Sequence, residues 1–415
     1  MADIKRTVRA VTPSPLISLY HLFFAYIAAW EYAFPSRDIA VIGVTGTKGK
    51  SSTTEMLNAI FEEAGYKTAL LNSIRIKVAE KSERNEMRMS MPGRFFIQKF
   101  LRRALDADCT VAILEMTSEG ARQHRHRSIE MNGLIFTNLA PEHIESHGSY
   151  SAYADAKFEF GKQLLRSAKR PRIMVANADD AQSSRYLALP VEHSLPFSLA
   201  ANPPWSADER GGYFTFFGVK IPVHISGEFS LKNALAAATL ARAYGISPEV
   251  IARALDKLFV IPGRAERIDE GQDFSVVVDY AHTPDSLEAL YTAYGKARKI
   301  AVMGATGGGR DKWKRPVMGA LADKYCDVVI LTNEDPYDED PKQIVDDVAK
   351  GMRRTPEIII DRRAAIARGI ALARTGDAVL ITGKGTDPCI CGAHGEKLPW
   401  SDANVAREEL KKRRG

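Results

Sequence analysis

The chain has 415 residues, of which 45% are hydrophobic and 26% are charged, with 57 lysines and arginines against 51 aspartates and glutamates. A chain of this length divides into roughly two or three domains, and its composition excludes a disordered tail or a coiled-coil rod. The excess of six positive charges is modest, and no arginine-rich arm or basic stripe occurs, so we expect no nucleic-acid partner. Four cysteines cannot form a disulfide framework. We therefore expect a reducing, cytoplasmic environment and no structural metal.

The first predicted element is a nearly unbroken apolar stretch, residues 16–34 (LISLYHLFFAYIAAWEYAF), which follows three basic residues. Its length is about that of a membrane span, but His21 and Glu31 fit lipid poorly. Its many aromatic side chains suit a membrane interface or a groove in a protein. Three interpretations stay open: a helix packed on the protein's own core, a helix on the inner membrane surface, and a membrane span.

The next strand and the loop after it carry the strongest chemical signal. Residues 39–44 (IAVIGV) predict a short buried strand, and TGTKGKSSTTEMLNAIFEEAG then leads into a helix. We predict a phosphate-binding loop, because its glycines let backbone N–H groups approach phosphate oxygens, Lys50 can reach the phosphates and a serine hydroxyl can bind Mg²⁺. Val44 occupies the first glycine position of the usual pattern. The loop residues predicted to bind ATP are Gly46, Thr47, Lys48, Gly49, Lys50, Ser51 and Ser52.

Several later apolar strands end in polar residues, and open α/β sheets bind their ligands at such carboxyl ends. These strands are predicted at 110–114, 134–136, 276–278, 300–303, 328–331 and 378–381. Glu115 directly follows the first of them, which is where a carboxylate ligand of magnesium belongs. For the other polar ends an ordinary turn with capping residues stays open, and His143 has the alternative of a hydrogen-bonded loop histidine.

Eight sequence motifs occur in the order seen in Mur ligases, and the chain resembles that family over about residues 38–405. They are GVTGTKGKSSTT, EMTS, FTNLAPEHIESHGSYSAYADAK, GEFSLKNALAAAT, IPGRAER, VVVDYAHTPDSLEAL, GGGRDKWKRPVMGALA and GKG. Within the family, the likeness is greatest to the ligases that add the third amino acid of the peptidoglycan stem peptide. The resemblance implies an ATP-dependent carbon–nitrogen ligase that activates an acceptor carboxylate as an acyl phosphate and releases ADP and phosphate.

The same resemblance implies roles for individual residues. Lys50 and Ser51 are similar to the phosphate and Mg²⁺ contacts, and Glu115 and His143 to ligands of a second Mg²⁺. Lys157 matches the lysine that the family carbamylates with CO₂; a carbamate is an anion and can hold magnesium where an ammonium would repel it. The resemblance implies further nucleotide contacts at Asn138, Asn233, Arg264, Asp279, His282, Arg310 and Lys312.

The chain departs from the family in three places. Only about 37 residues precede the predicted first strand, where the family has a domain that holds the UDP group, so we expect a missing or different UDP site. At the Asp-Asn-Pro-Arg motif of diaminopimelate-adding relatives this chain has 334–337 (EDPY), so the arginine that pairs with a substrate carboxylate is absent and the added amino acid stays open. The family's Gly-Lys-Gly-His-Glu run is replaced by 383–387 (GKGTD). The predicted substrate contacts are Ser118, Glu334, Asp335, Tyr337, Gly383 and Lys384.

The predicted fold class is α/β in three parts. A hydrophobic N-terminal helical segment (1–37) precedes a P-loop-type central ATPase domain with a mostly parallel sheet (38–262) and a Rossmann-like C-terminal α/β domain (263–415). Within the central domain, residues 190–225 predict a β-hairpin excursion. We expect a monomer whose partners are a nucleotide-sugar peptide and an amino acid, with ATP, Mg²⁺ and CO₂ (as lysine carbamate) as cofactors.

Three other functions stay open. One is another ligase of the same superfamily with a UDP-free or lipid-linked acceptor. A second is folylpolyglutamate synthase, which shares the GTKGK loop but is less similar in the runs 279–284 (DYAHTP) and 310–312 (RDK). The third is a nucleotide-dependent switch, which would not need the second metal site implied by Glu115, His143 and Lys157.

Overall fold

The structure is a computed structural model that describes residues 14–142, 144–309 and 311–414. His143 and Arg310, two of the predicted site residues, lie outside the described residues. The chain forms two compact units. The first unit comprises the chain up to residue 139, 150–201 and 235–254, and the second comprises 140–149, 202–234 and the chain from residue 255.

The first unit is built on an eight-stranded sheet. Its strands are β1 (Ala40–Thr45), β2 (Thr68–Leu71), β3 (Arg75–Val78), β4 (Lys81–Arg84), β5 (Val111–Glu115), β6 (Gly133–Phe136), β7 (Ile173–Asn177) and β8 (His193–Phe197). They lie in the order β4-β3-β2-β5-β1-β6-β7-β8, and every neighbouring pair is parallel except β2–β3 and β3–β4. Strands β2, β5, β6 and β7 are fully buried, because a parallel sheet covered on both faces needs continuous apolar runs.

The second unit contains three smaller sheets. The strands are β9 (Ser206–Asp208), β10 (Gly211–Phe216), β11 (Val219–Val223), β12 (Glu266–Arg267), β13 (Ser275–Asp279), β14 (Lys299–Met303), β15 (Val328–Leu331), β16 (Glu357–Ile358), β17 (Ala378–Thr382), β18 (Cys389–Cys391) and β19 (Lys397–Pro399). The main sheet has the order β12-β13-β17-β14-β15-β16, with only β12–β13 antiparallel. The α/β class with mostly parallel sheets is therefore confirmed.

Fourteen α-helices lie in the described part of the chain. They are α1 (Ser14–Glu31), α2 (Lys50–Glu63), α3 (Arg94–Asp106), α4 (Ser118–Arg122), α5 (Ile144–His147), α6 (Tyr150–Arg166), α7 (Ser183–Leu187), α8 (Glu228–Ala243), α9 (Pro248–Asp256), α10 (Pro284–Ala293), α11 (Lys314–Tyr325), α12 (Pro341–Ala349), α13 (Arg362–Leu372) and α14 (Asp402–Arg414). Their apolar residues complete two cores. One contains Phe100, Phe136 and Phe160, and the other contains Ile300, Ile366 and Ile381.

The predicted β-hairpin excursion is shorter than expected. Residues 193–197 form β8, which pairs in parallel with β7 in the main sheet, so this part of the prediction is wrong. The excursion itself is the antiparallel sheet β9–β11, which spans residues 206–223. The difference arises because a short sequence such as HSLPF fits either a hairpin strand or the edge of a parallel sheet.

The N-terminal apolar stretch forms α1, which packs against α3. Ala25, Ala28 and Ala29 are buried on the side that faces the protein. Among the described residues, no helix is long and apolar enough to cross a membrane.

Register brings polar strand ends together within each unit. In the first, Val44 of β1 lies opposite Glu115 of β5, and Thr45 lies opposite Phe136 of β6. In the second, Asp279 of β13 lies opposite Thr382 of β17. Within each sheet, the loops that follow these parallel strands therefore all begin on the same side, at the carboxyl ends of the strands.

Candidate active site

The phosphate loop follows β1 and ends at the first turn of α2. Gly49 is the residue before this helix and has φ 81°, and Gly46 has φ 147°, a region that L side chains rarely adopt. A Cβ on Gly46 would lie 1.9 Å from the Thr137 hydroxyl, so only glycine fits there. The N-terminus of α2 adds backbone N–H groups and positive potential behind the loop. This is the arrangement that binds phosphate.

The end of β6 holds the phosphate loop in shape. The Thr47 N–H donates to the Asn138 carbonyl oxygen at 2.8 Å, and the Lys48 N–H donates to Asn138 Oδ1 at 2.9 Å. The Lys48 carbonyl accepts from Asn138 Nδ2 at 3.1 Å and from Thr137 Oγ1 at 2.7 Å. The Asn138 amide, predicted as a nucleotide contact, thus fixes the loop backbone.

Three oxygen-bearing groups meet beside the loop. The Ser51 hydroxyl donates to Glu115 Oε2 at 2.9 Å and lies 2.8 Å from the Ser73 hydroxyl. The Ser73 N–H donates to the same carboxylate oxygen at 3.0 Å. Ser51 and Glu115 are both buried. A carboxylate and hydroxyls are hard oxygen ligands of the kind that Mg²⁺ prefers, so these residues fit the metal that the sequence predicts.

Two lysines contact the loop backbone. Lys50 Nζ donates to the Thr47 carbonyl oxygen at 2.8 Å. Lys157, buried on α6, donates from Nζ to the Gly46 carbonyl oxygen at 2.6 Å and lies 4.8 Å from the centre of the Tyr153 ring. Both predicted catalytic lysines therefore lie at the phosphate loop.

In the second unit, a group of predicted nucleotide contacts surrounds the end of β13. The Arg264 guanidinium lies 4.4 Å over the Tyr280 ring, and Asp279 accepts from the Ala265 N–H at 2.6 Å. His282 Nε2 lies 3.1 Å from Glu142 Oε1. The structure thus brings Arg264, Asp279 and His282 together at the end of β13, with Glu142 in contact with His282.

Another group joins the ends of β15 and β17. Lys384 Nζ donates to Asp335 Oδ1 at 2.8 Å, and both side chains are almost fully buried. Glu334 accepts from the Thr306 hydroxyl at 2.5 Å, and burial raises the pKa of its carboxyl. A Cβ on Gly383 would lie 2.3 Å from Glu334 Oε2, so the two loops are in close contact. The predicted substrate residues at these two loops therefore form one cluster.

The remaining predicted residues lie on helices or, for Lys312 and Tyr337, in turns between elements. Ser118 is the first residue of α4, and Ser52 lies in the first turn of α2. Asn233 is buried on α8. Lys312 pairs with Glu339 at 3.2 Å on the surface, and the Tyr337 N–H donates to the Cys391 carbonyl oxygen at 3.0 Å.

The predicted site residues did not include Ser73, Thr137 or Glu142, although Thr137 and Glu142 follow the strand predicted at 134–136. Ser73 follows the buried strand β2 just as Glu115 ends β5, so the same strand-end pattern could have indicated it. The contacts of Thr137 with the loop and of Glu142 with His282 join residues 89 and 140 positions apart. Nothing in the local sequence predicts such contacts.

The described residues contain no group of three or more His, Cys, Asp and Glu side chains arranged to hold a metal ion. The cluster of Ser51, Ser73 and Glu115 has one carboxylate and two hydroxyls. A metal bound through such a set takes its other ligands from phosphate oxygens and water, as Mg²⁺ does beside nucleotides.

Comparison with known proteins agrees with these geometries. The family model of the Mur ligase middle domain matches residues 44–241, and that of the Mur ligase glutamate ligase domain matches residues 263–385. The UDP-N-acetylmuramoyl-L-alanyl-D-glutamate–2,6-diaminopimelate ligase of Syntrophomonas wolfei is 36% identical over 403 residues, which are 93% of this chain and 81% of that protein.

Two solved structures with similar folds are a diaminopimelate ligase and a folylpolyglutamate synthase. A 2,6-diaminopimelate ligase of the same name is 25% identical, with a TM-score of 0.64 over 94% of this chain and 82% of its own. Folylpolyglutamate synthase of Mycobacterium tuberculosis has a TM-score of 0.67 over 93% of this chain and 94% of its own, but at 16% identity it shows only a shared fold. On these matches, this chain belongs to the Mur ligase family and is an ATP-dependent ligase.

Proposed function

We propose that this ligase joins an amino acid to a peptidoglycan-precursor peptide, with a UDP-N-acetylmuramoyl-dipeptide or a similar molecule as the acceptor. The observation that carries the proposal is the convergence of the Ser51, Ser73 and Glu115 oxygens beside a complete phosphate loop. The names of the relatives support the acceptor, since they are ligases of UDP-N-acetylmuramoyl peptides.

The first proposed step makes an acyl phosphate. A carboxylate oxygen of the acceptor forms a bond to the γ-phosphorus of ATP, and the bond from that phosphorus to ADP breaks. Both reactants are anions, so their repulsion must be neutralised. Bound Mg²⁺ would supply that positive charge, held by Ser51 and Glu115. The loop N–H groups and Lys50 would hold the phosphates in place.

The second proposed step forms the amide. The amine of the incoming amino acid attacks the activated carbonyl carbon, the bond between that carbon and the oxygen shared with phosphorus breaks, and inorganic phosphate leaves with that oxygen. The amine loses a proton in this step, and water must be kept from the acyl phosphate. The cluster around Glu334 and Lys384 lies at strand ends where the family resemblance puts the incoming amino acid.

Lys157 is proposed to act as a carbamate. In its free form the ammonium donates to the Gly46 carbonyl oxygen from a buried position. Reaction of the neutral amine with CO₂ would give an anion next to the phosphate loop. Such an anion would hold a second Mg²⁺ together with Glu115 and His143.

The function is tested by phosphate release from ATP and Mg²⁺ with UDP-N-acetylmuramoyl-dipeptide as acceptor. Lysine, diaminopimelate and other amino acids are offered one at a time, and products are identified by mass. We expect release that requires both acceptor and amino acid, with a product heavier by one residue. ATP turnover without an acceptor would contradict ligation.

A second candidate acceptor is UDP-free or lipid-linked. The same assay with a muramoyl-dipeptide lacking UDP separates the two acceptors. Turnover with the UDP-free molecule alone would assign the second candidate.

A further inference from the structure

Helix α1 exposes its large apolar side chains and buries small ones, which is the opposite of the usual arrangement in a surface helix. Six large apolar side chains on one side of the helix are between 54% and 74% exposed. We call them the aromatic face: Leu16, Leu19, Tyr20, Phe23, Tyr26 and Trp30. The opposite side packs on the protein through small residues, Ala25, Ala28 and Ala29.

Two polar side chains of α1 point the other way, toward the protein, whereas Glu31 at its C-terminal end is exposed. The Ser18 hydroxyl lies 2.7 Å from His124 Nε2, and His21 Nδ1 is hydrogen-bonded to the Arg94 guanidinium. A surface helix in water normally buries its apolar stripe and exposes its polar residues. Because α1 does the reverse, its outer side is suited to an apolar environment and not to water.

Basic residues flank the aromatic face on one side. Helix α3 packs against α1, with Phe95 next to Phe24 and the Arg94 guanidinium 6.0 Å from the Tyr20 ring centre. Farther along α3, Lys99 and Arg103 are exposed. Arg94 therefore puts positive charge beside the aromatic face, and Lys99 and Arg103 continue that charge along α3.

Basic residues also flank the other side. Arg127 lies near enough to Tyr26 for the two to interact electrostatically. Arg127, Lys162 and Arg166 share one carboxylate, Glu159, at 3.4, 2.6 and 3.9 Å. Three cations against one anion leave this group with a net positive charge, and Arg127 is its member next to the aromatic face. We call Lys99, Arg103, Arg127, Lys162 and Arg166 the basic rim.

We propose that the aromatic face and the basic rim bind the surface of an anionic lipid bilayer, with α1 lying along the membrane plane. Tyrosine and tryptophan suit the region between headgroups and acyl chains. Arginine and lysine around them are attracted to anionic headgroups. The charge of the rim favours this occupant over a second copy of the chain, whose own rim would repel it.

The test is flotation of the full-length protein with phosphatidylcholine vesicles, with and without phosphatidylglycerol. The protein is expected to float with the anionic vesicles, and high salt should reduce the floating fraction, because salt screens exposed charges. The F23S/W30S double variant should lower that fraction by about tenfold or more. The K99E/R103E variant should weaken binding to anionic vesicles only.

The matched control is F217S, which removes an aromatic side chain that is 71% exposed in the hairpin between β10 and β11 and should float like the wild type. Unfolding temperature and ATP turnover should stay unchanged in all variants. The proposal is overturned if the wild type does not float, if it floats equally with neutral vesicles, or if F23S/W30S floats normally. A wild-type dimer that F23S/W30S converts to a monomer, without flotation, would instead assign the face to self-association.

Discussion

At the scale of single residues, the Glu115 carboxylate is the group on which the proposed metal site depends. It is buried, and one of its oxygens accepts from both the Ser51 hydroxyl and the Ser73 N–H. A buried charge needs such partners to persist. The same oxygen can bind a metal ion when the Ser51 hydroxyl turns away from it and toward the metal. Both the stability of the fold and metal binding therefore depend on the Glu115 carboxylate.

Replacing Glu115 by Gln tests that dependence. The amide keeps the size of the side chain but removes the negative charge, so we expect weaker binding of ATP with Mg²⁺ and turnover lower by about 100-fold or more. Calorimetric titration with ATP and Mg²⁺ and a phosphate-release assay measure the two effects. E119Q is the matched control, since Glu119 is partly exposed and contacts Arg122 and Gln123 away from the phosphate loop. Equal behaviour of the two variants would contradict the metal role of Glu115.

The proposed carbamate makes turnover dependent on CO₂. In decarbonated buffer we expect the rate of phosphate release to fall, because Lys157 returns to the cationic amine that contacts Gly46. Added bicarbonate should restore the rate. A K157A variant should be inactive and should not respond to bicarbonate. A wild-type rate that is indifferent to CO₂ would rule out this role for Lys157.

The sequence predicted much of the phosphate loop but not its support. Gly46, Lys50 and Ser51 are recognisable because a phosphate loop is contiguous in the chain. The Ser73 contribution arises only when β2 and β5 pair in the sheet. Local patterns cannot place two such strands side by side.

At the scale of elements, the segment after α4 carries a buried histidine. His126 is fully buried against Phe160, and burial together with the Arg127 charge lowers its pKa from 6.5 to about 3. As the pH falls below 6.5, the unfolded chain takes up a proton that the folded chain does not bind until about pH 3. The stability that comes from a neutral His126 is therefore present above pH 6.5 and is lost progressively between these values.

This shift predicts a loss of about 2 kcal/mol in the free energy of unfolding between pH 7 and pH 5. Urea denaturation at a series of pH values measures it. An H126F variant keeps an aromatic ring beside Phe160 but cannot take up a proton there. Its loss of unfolding free energy between pH 7 and pH 5 should be smaller than that of the wild type by about 2 kcal/mol. If H126F and the wild type have the same pH dependence, His126 is not the group responsible.

Helices α13 and α14 are joined by a buried ion pair and an exposed one. The Arg362 guanidinium donates to both Asp402 oxygens at 2.8 and 2.7 Å, with both side chains almost fully buried. Arg363, the next residue, pairs with Glu408 on the surface at 2.7 Å and also with Glu409 at 3.0 Å. The two pairs connect the same helices but differ in burial.

Breaking each pair should therefore have different costs. D402A leaves a buried guanidinium without its carboxylate, and we expect a loss of about 3–5 kcal/mol in the free energy of unfolding. The matched variant E408A, which removes only the exposed pair, should lose at most about 1 kcal/mol, because water screens that pair. Urea denaturation compares them, and similar losses would show that burial is not what matters here.

The main strands were predictable, and the edge strands were not. Strands β1, β5, β13 and β17 are buried apolar runs, and such runs predict parallel strands directly. Strands β3 and β4 have the sequences RIKV and KSER. They form because β2 offers a free edge, which is a property of the sheet and not of their own residues.

At the scale of the whole molecule, each of the two units has a mostly parallel sheet with polar residues at its strand ends. The family resemblance anticipated both sheets. The domain boundaries at 37 and 262 remain predictions, since the compact units assign 140–149 and 202–234 to the second unit. These segments belong to the second unit because of tertiary contacts such as that of Glu142 with His282. Composition and turn residues, which predict domain boundaries in a sequence, do not predict such contacts.

The most direct test of the proposed reaction follows the oxygen atoms of the acceptor. An acceptor labelled with ¹⁸O at both oxygens of the reacting carboxylate is incubated with ATP, Mg²⁺ and the amino acid that supports turnover. If an acyl phosphate forms, one labelled oxygen bonds to phosphorus and leaves with it, so the released phosphate should carry one ¹⁸O and the amide should keep the other. Released phosphate without label would contradict the activation of the acceptor carboxylate by ATP.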